Sequence, residues 1–240
     1  MSDEPTLRLE EGQRLLDAGD LDAATRILAP LTGHPTLAGD AWLAIGTARY
    51  RADDEPGALA DLEAAEPATL LLHKPAGIEF EATPRLATPA SRTEGDDPEI
   101  RVLKRHFVRL TPLMPLDTEA SGLMVLSQDG RVWRRLSEDA DMIEQEFVVE
   151  VDGELAPYGL PRLCDGMLYQ GRALPRAKVS WQSENRLRFA IKAVRPGQLR
   201  HMCGQVGLDV LSIRRIRIGR IPLSKMPVGE WRYLPVGERF

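Results

Sequence analysis

The chain has 240 residues, 43% of them hydrophobic and 28% charged, enough apolar material for one large core or two smaller ones. Its net charge of −5 conceals a division: residues 1–67 hold 14 acidic and 5 basic residues, while residues 68–240 hold 22 and 26. That asymmetry predicts two units with different partners and argues against the first of them gripping a phosphate backbone. No stretch approaches the ~18 apolar residues of a membrane span. The acidic start, Met1-Ser2-Asp3-Glu4, lacks the charge pattern of a secretion signal. The two cysteines, Cys164 and Cys203, have neither disulfide-framework nor metal spacing, as in a reducing compartment. These features predict a cytoplasmic protein without membrane contact.

Residues 1–67 repeat themselves at a spacing of 34 residues. Gly12 pairs with Gly46, Ala18 with Ala52, Asp20 with Asp54, Ala24 with Ala58 and Leu28 with Leu62, while Leu16 pairs with Tyr50. The period is that of a tetratricopeptide helix pair. The second copy resembles that family's pattern in Trp42, Ile45, Gly46, Ala58, Leu62 and Ala65. Small residues such as Gly46 and Ala58 let antiparallel helices approach closely. Gly19-Asp20 and Asp53-Asp54 supply turns, and Asp20 and Asp54 are suited to cap the helices that follow. An all-α helical-repeat segment is expected, serving either as a protein-binding module or as a helical cap on the following domain.

In the second unit, Thr69-Leu70-Leu71-Leu72-His73 reads as a central strand, and Lys74-Pro75-Ala76-Gly77 as a turn. Residues 78–100 show no sustained period and read mostly as loop. The run Arg101 to Leu110 reads as a basic strand or a solvated edge, with His106 at the surface. Next comes Met114-Pro115-Leu116-Asp117, a carboxylate in a Pro-flanked loop at the mouth of the apolar run Leu123-Met124-Val125-Leu126. Gln145, Phe147, Val149 and Val151 share one strand face by the period of two. Ala177-x-Val179-x-Trp181 and Leu187-x-Phe189-x-Ile191 alternate likewise around a turn at Ser183-Glu184-Asn185. Ile216 and Ile218 alternate with Arg215 and Arg217, predicting one buried and one basic face. Helices fit residues 131–138 and 197–207. The pattern predicts an α+β unit with a largely antiparallel sheet over residues 68–240.

Leu116-Asp117-x-x-Ala120-Ser121-Gly122-Leu123, followed by Asp129-Gly130, resembles the central motif of pseudouridine synthases. The resemblance is nearest to their Rsu-type branch, which modifies single uridines in ribosomal RNA. Four further stretches are similar in order and spacing: Lys74-Pro75-Ala76-Gly77; Glu146 to Gly153; Gln198-Leu199-Arg200-His201-Met202; and Arg217-Ile218-Gly219 with Pro227-x-Gly229-Glu230-Trp231-Arg232. The likeness covers residues 68–240 and implies a pseudouridine-synthase-like domain acting on structured RNA, with ribosomal RNA the expected substrate. It implies Asp117 as the catalytic carboxylate. Lys74, Phe147, Gln198, Leu199, Arg200 and Arg217 are then substrate-binding residues. Phe147 would stack on the base, Leu199 pack against it, and Arg200 hold a phosphate or pair with Asp117. The cluster Arg214, Arg215, Arg217 and Arg220 would face RNA. The chemistry needs no metal or organic cofactor, and a monomer is expected.

The chain departs from the branch at three places. Met114-Pro115 replaces a Gly-Arg pair, Gln145 replaces a lysine, and Gly197 replaces a basic residue, so three positive charges near the site are missing. This leaves an alternative reading: a degenerate homologue that binds RNA or a protein without catalysis.

Overall fold

A computed structural model describes residues 4–34, 37–52, 54, 56–58, 67–235 and 237–240. The chain divides into two compact units, Met1–Pro67 and Ala68–Phe240.

In the first unit, α1 (Glu4–Asp17), α2 (Leu21–Leu28) and α3 (Ala38–Arg51) share a core that includes Leu9, Leu16, Ala24, Leu28, Ala41, Ile45 and Ala48. Asp20 caps α2, accepting from the Ala23 N–H at 3.1 Å. Asp54, one period later, accepts from the Gly57 N–H at the same distance. Gly12 lies where a Cβ would meet the Leu28 side chain at 2.5 Å, so the absent side chain permits the close approach of α1 and α2. Asp53, Leu62 and Ala65 of the repeat lie outside the described residues.

The second unit is built on a nine-stranded mixed sheet. Its strands are β1 (Thr69–Lys74), β2 (Thr111–Leu113), β3 (Ser121–Ser127), β4 (Gln145–Gly153), β7 (Lys178–Ser183), β8 (Arg186–Ile191), β9 (Leu208–Ile218), β10 (Ile221–Pro222) and β11 (Trp231–Tyr233). A separate two-stranded hairpin joins β5 (Leu168–Tyr169) to β6 (Arg172–Ala173). The main path runs β11-β1-β3-β9-β4-β8-β7, with β2 on β3 and β10 on β9. Among the described strands, the ladders are antiparallel except β3 with β9, which meet in parallel at Ser121–Arg214 and Gly122–Arg215.

Both faces of the sheet centre are covered, which explains the unbroken apolar runs of β1 and β3. Alternation sends Leu70, Leu72, Met124, Leu126, Phe147 and Val149 to one core and Leu71, Leu123 and Val125 to the other. The first core also takes in Leu163 of α5 (Gly159–Asp165) and Leu199 and Met202 of α6 (Gln198–Gly204). The second takes in Leu136 of α4 (Gly130–Ser137).

Three sequence expectations change. Residues 104–107 form a 3-10 turn, and His106 is buried, its Nδ1 2.7 Å from the Tyr233 hydroxyl. Burial pushes its imidazole down to about 4. The simple alternation in β9 does not hold either. The register against β4 steps from Arg217 to Arg215, leaving Ile216 as the extra residue of a bulge, and Arg215 is fully buried beside a sheet covered on both faces. Arg217 is half-buried and ion-paired, so only Arg214 and Arg220 of the arginine cluster are exposed.

Candidate active site

The loop from β2 to β3 carries Asp117, and the local split of the sheet shapes it. On one side of β3, β9 pairs only at Ser121 and Gly122, and β2 pairs from Val125 to Ser127. The carbonyl of Leu123 falls in the gap between them. Arg215 fills this wedge. Its Nε donates to the Leu123 carbonyl at 2.7 Å, its Nη2 to Met114 O at 2.8 Å, and its Nη1 to Pro115 O at 3.1 Å and Gln145 Oε1 at 3.0 Å. The chain just before Asp117 is thereby tied to β9.

The chain just after Asp117 is tied to β1. The Lys74 ammonium, fully buried, donates to Thr118 O at 2.8 Å, Ala120 O at 2.7 Å and Pro75 O at 3.0 Å. The Ala120 N–H closes the turn onto Asp117 O at 3.0 Å. Two buried cations therefore grip the backbone on either side of the carboxylate. Burial pushes Lys74 down to about 8, with the charges of Glu119 and Asp117 opposing it. Burial pushes Arg215 down to about 9, and Asp117 opposes that shift as well.

The half-buried Asp117 carboxylate opens into a narrow cleft with Pro115, Leu116, Phe147, Val194, Arg195, Pro196, Leu199 and Ile213. Phe147 and Leu199 are nearly inaccessible, at 1% and 3% exposure, and form apolar walls. The cleft offers about 10 Å³, room for roughly one water molecule. One side of it is formed by the segment leading into α6. The Gly197 N–H donates to both oxygens of Asp117, at 3.0 and 3.1 Å. Gln198, itself buried, accepts from the Arg195 N–H at 3.1 Å and holds the turn. Positive φ angles at Ala193 (52°) and Gly197 (75°) bracket this segment.

Asp117, Phe147 and Leu199 thus come together in one cleft, with Gln198 and Lys74 behind it. Arg200 and Arg217 do not line it. Arg200 donates to Val210 O at 3.0 Å, and the group that meets the Asp117 carboxylate is the Gly197 N–H. The Arg217 guanidinium is held by Glu144 and Glu146, each at 2.7 Å. Arg195, exposed at the cleft's edge, was not among the expected site residues, although it sits in the stretch preceding Gln198. The departures at Pro115 and Gln145 both prove to be contacts of Arg215, and Gly197 is the cap on Asp117. Among the described residues, no group of three or more His, Cys, Asp or Glu could hold a metal.

This sheet with its loop-borne acid is the pseudouridine synthase fold: a crystal structure of a pseudouridylate synthase matches with a TM-score of 0.59 at 20% identity, over 71% of each chain. In sequence the chain is similar to curated RNA pseudouridine synthases. It is 28% identical over 173 residues to the dual-specificity RNA pseudouridine synthase RluF of Escherichia coli (strain K12), covering 72% of this chain and 56% of that one. It is also 28% identical over 185 residues to the ribosomal large subunit pseudouridine synthase E of Xanthomonas campestris pv. campestris, covering 68% of this chain and 93% of that one. The chain spans little more than half the length of the RluF relative. No family model matches it.

Proposed function

We propose that the chain isomerises a uridine in structured RNA, ribosomal RNA being the substrate class, with Asp117 as the acting carboxylate. The observation that carries this reading is the placement of Asp117 as the sole carboxylate among the residues lining the cleft. Apolar walls suit a base extruded from its stack, and the ring of Phe147 offers a surface for it without a hydrogen-bonding group. Arg195, at the edge, is placed for a backbone phosphate.

In this reaction the N1–C1′ bond breaks, the uracil turns, and a C5–C1′ bond forms. The proton at C5 is lost and N1 gains one, so no atoms are added overall. Asp117 acts at the sugar or the base. The cleft is narrow, and in this reading segment 193–197 moves to admit the base, with the left-handed residues Ala193 and Gly197 at its two ends as points of rotation. The acidic unit 1–67 is reserved in this reading for a protein contact, since its charge opposes phosphate binding.

The test is tritium release from ribosomal RNA labelled at uridine C5. The purified chain should release tritium, and Asp117→Asn should abolish release while binding the same RNA with little change. Release by the variant at the wild-type rate would remove Asp117 from the chemistry. Binding without release by the wild-type chain would favour the degenerate homologue.

A further inference from the structure

The peptide that caps Asp117 is held at its other end. Pro196 C=O and Gly197 N–H belong to one peptide unit. The N–H donates to both Asp117 oxygens, at 3.0 and 3.1 Å. The C=O accepts from the Tyr169 hydroxyl at 2.7 Å. In a trans peptide these two groups point in opposite directions, so hydroxyl, peptide and carboxylate form one hydrogen-bonded chain. Donation into the carbonyl polarises the peptide and strengthens its N–H as a donor.

Tyr169 is itself well placed for this. It lies in the β5–β6 hairpin, its ring packs on His201 with centroids 5.1 Å apart, and His201 Nε2 is 3.0 Å from Leu168 O. The hairpin is thus anchored on α6, the helix the capping peptide leads into. Gly197 is the residue this arrangement requires. Its φ is +75°, and a Cβ there would lie 2.7 Å from the Tyr169 hydroxyl. A side chain at 197, such as the basic residue the Rsu-type pattern carries, would displace the hydroxyl from the carbonyl.

We propose that Tyr169 is a positioning residue which, through the Pro196–Gly197 peptide, holds the Asp117 carboxylate in its working orientation. The proposal rests on the reading of Asp117 as the acting group. The test uses the full chain and Tyr169→Phe, which keeps the ring against His201 and removes only the hydroxyl. Amide hydrogen exchange at Gly197 should accelerate by roughly tenfold, the effect of losing one hydrogen bond. On ribosomal RNA, kcat should fall by a similar factor while KM stays within about twofold, as for an interaction that acts on the chemical step. Gly197→Ala should reproduce both changes with Tyr169 intact. Unchanged exchange at Gly197 in Tyr169→Phe overturns the proposal, and so does faster exchange with undiminished kcat. The exchange measurement needs no turnover, so it judges the strap separately from the assignment of the reaction.

Discussion

Arg215 and Lys74 carry positive charge into the interior behind Asp117, and both donate to backbone carbonyls of the segment around it. Their removal therefore costs more than the loss of a surface ion pair. Arg215→Met would leave the carbonyls of Met114, Pro115 and Leu123 without their donor. We expect a loss of about 3 kcal/mol or more in urea unfolding. Arg215→Lys should recover little of it, because a single ammonium cannot reproduce the fork of contacts. His106 sets a second expectation. Its folded value of about 4 lies below the roughly 6.5 of an unfolded histidine, so the unfolded chain binds the proton more readily. Stability is then full above about pH 6.5 and falls as the pH drops towards 4, by an amount on the order of 3 kcal/mol. His106→Gln should flatten that part of the stability curve. An unaltered slope between wild type and variant would show that His106 does not titrate in this window.

At the scale of elements, the wedge depends on how closely β9 approaches β3. Gly122 has φ +118°, and a Cβ there would lie 2.3 Å from Arg215 O and 2.5 Å from Arg215 N. Backbone cannot yield as a side chain would, so Gly122→Ala should destabilise the second unit by about 3 kcal/mol or more, read as a lowered thermal midpoint. Wild-type stability in that variant would mean that the two strands can separate at this point without cost. Much of this sheet was legible in the sequence. Period-two alternation located β4 and the β7–β8 hairpin, and the apolar runs located β1 and β3. The elements that escaped are short: β2 has three residues with a proline in the middle, and α5 starts from a left-handed Tyr158. Neither is long enough to show a period. The motif resemblance singled out Asp117, Phe147 and Leu199, and these three line one cleft. The buried charge was not legible, because the burial of Arg215 follows from a bulge and a split between strands far apart in sequence. The Tyr169 contact is likewise a product of packing, with no sequence pattern to announce it.

The whole molecule joins two units of opposite net charge, each with a core of its own residues. Residues 68–240 should therefore fold when expressed alone, giving a dispersed amide spectrum and a single cooperative transition. If the surplus of positive charge in that unit is what meets RNA, the fragment should bind ribosomal RNA with an affinity that falls steeply as salt rises. Weak, salt-independent binding would place the RNA contact elsewhere.

The proposed reaction is isomerisation of a uridine in cellular RNA, with Asp117 as the acting carboxylate. It is met most directly by a site-resolved pseudouridine map of RNA from cells with the gene, without it, and with the Asp117→Ala form in its place. At least one pseudouridine should be present in the first and absent from the other two. A map that is unchanged by removal of the gene, or a site restored by the alanine form, would contradict the account.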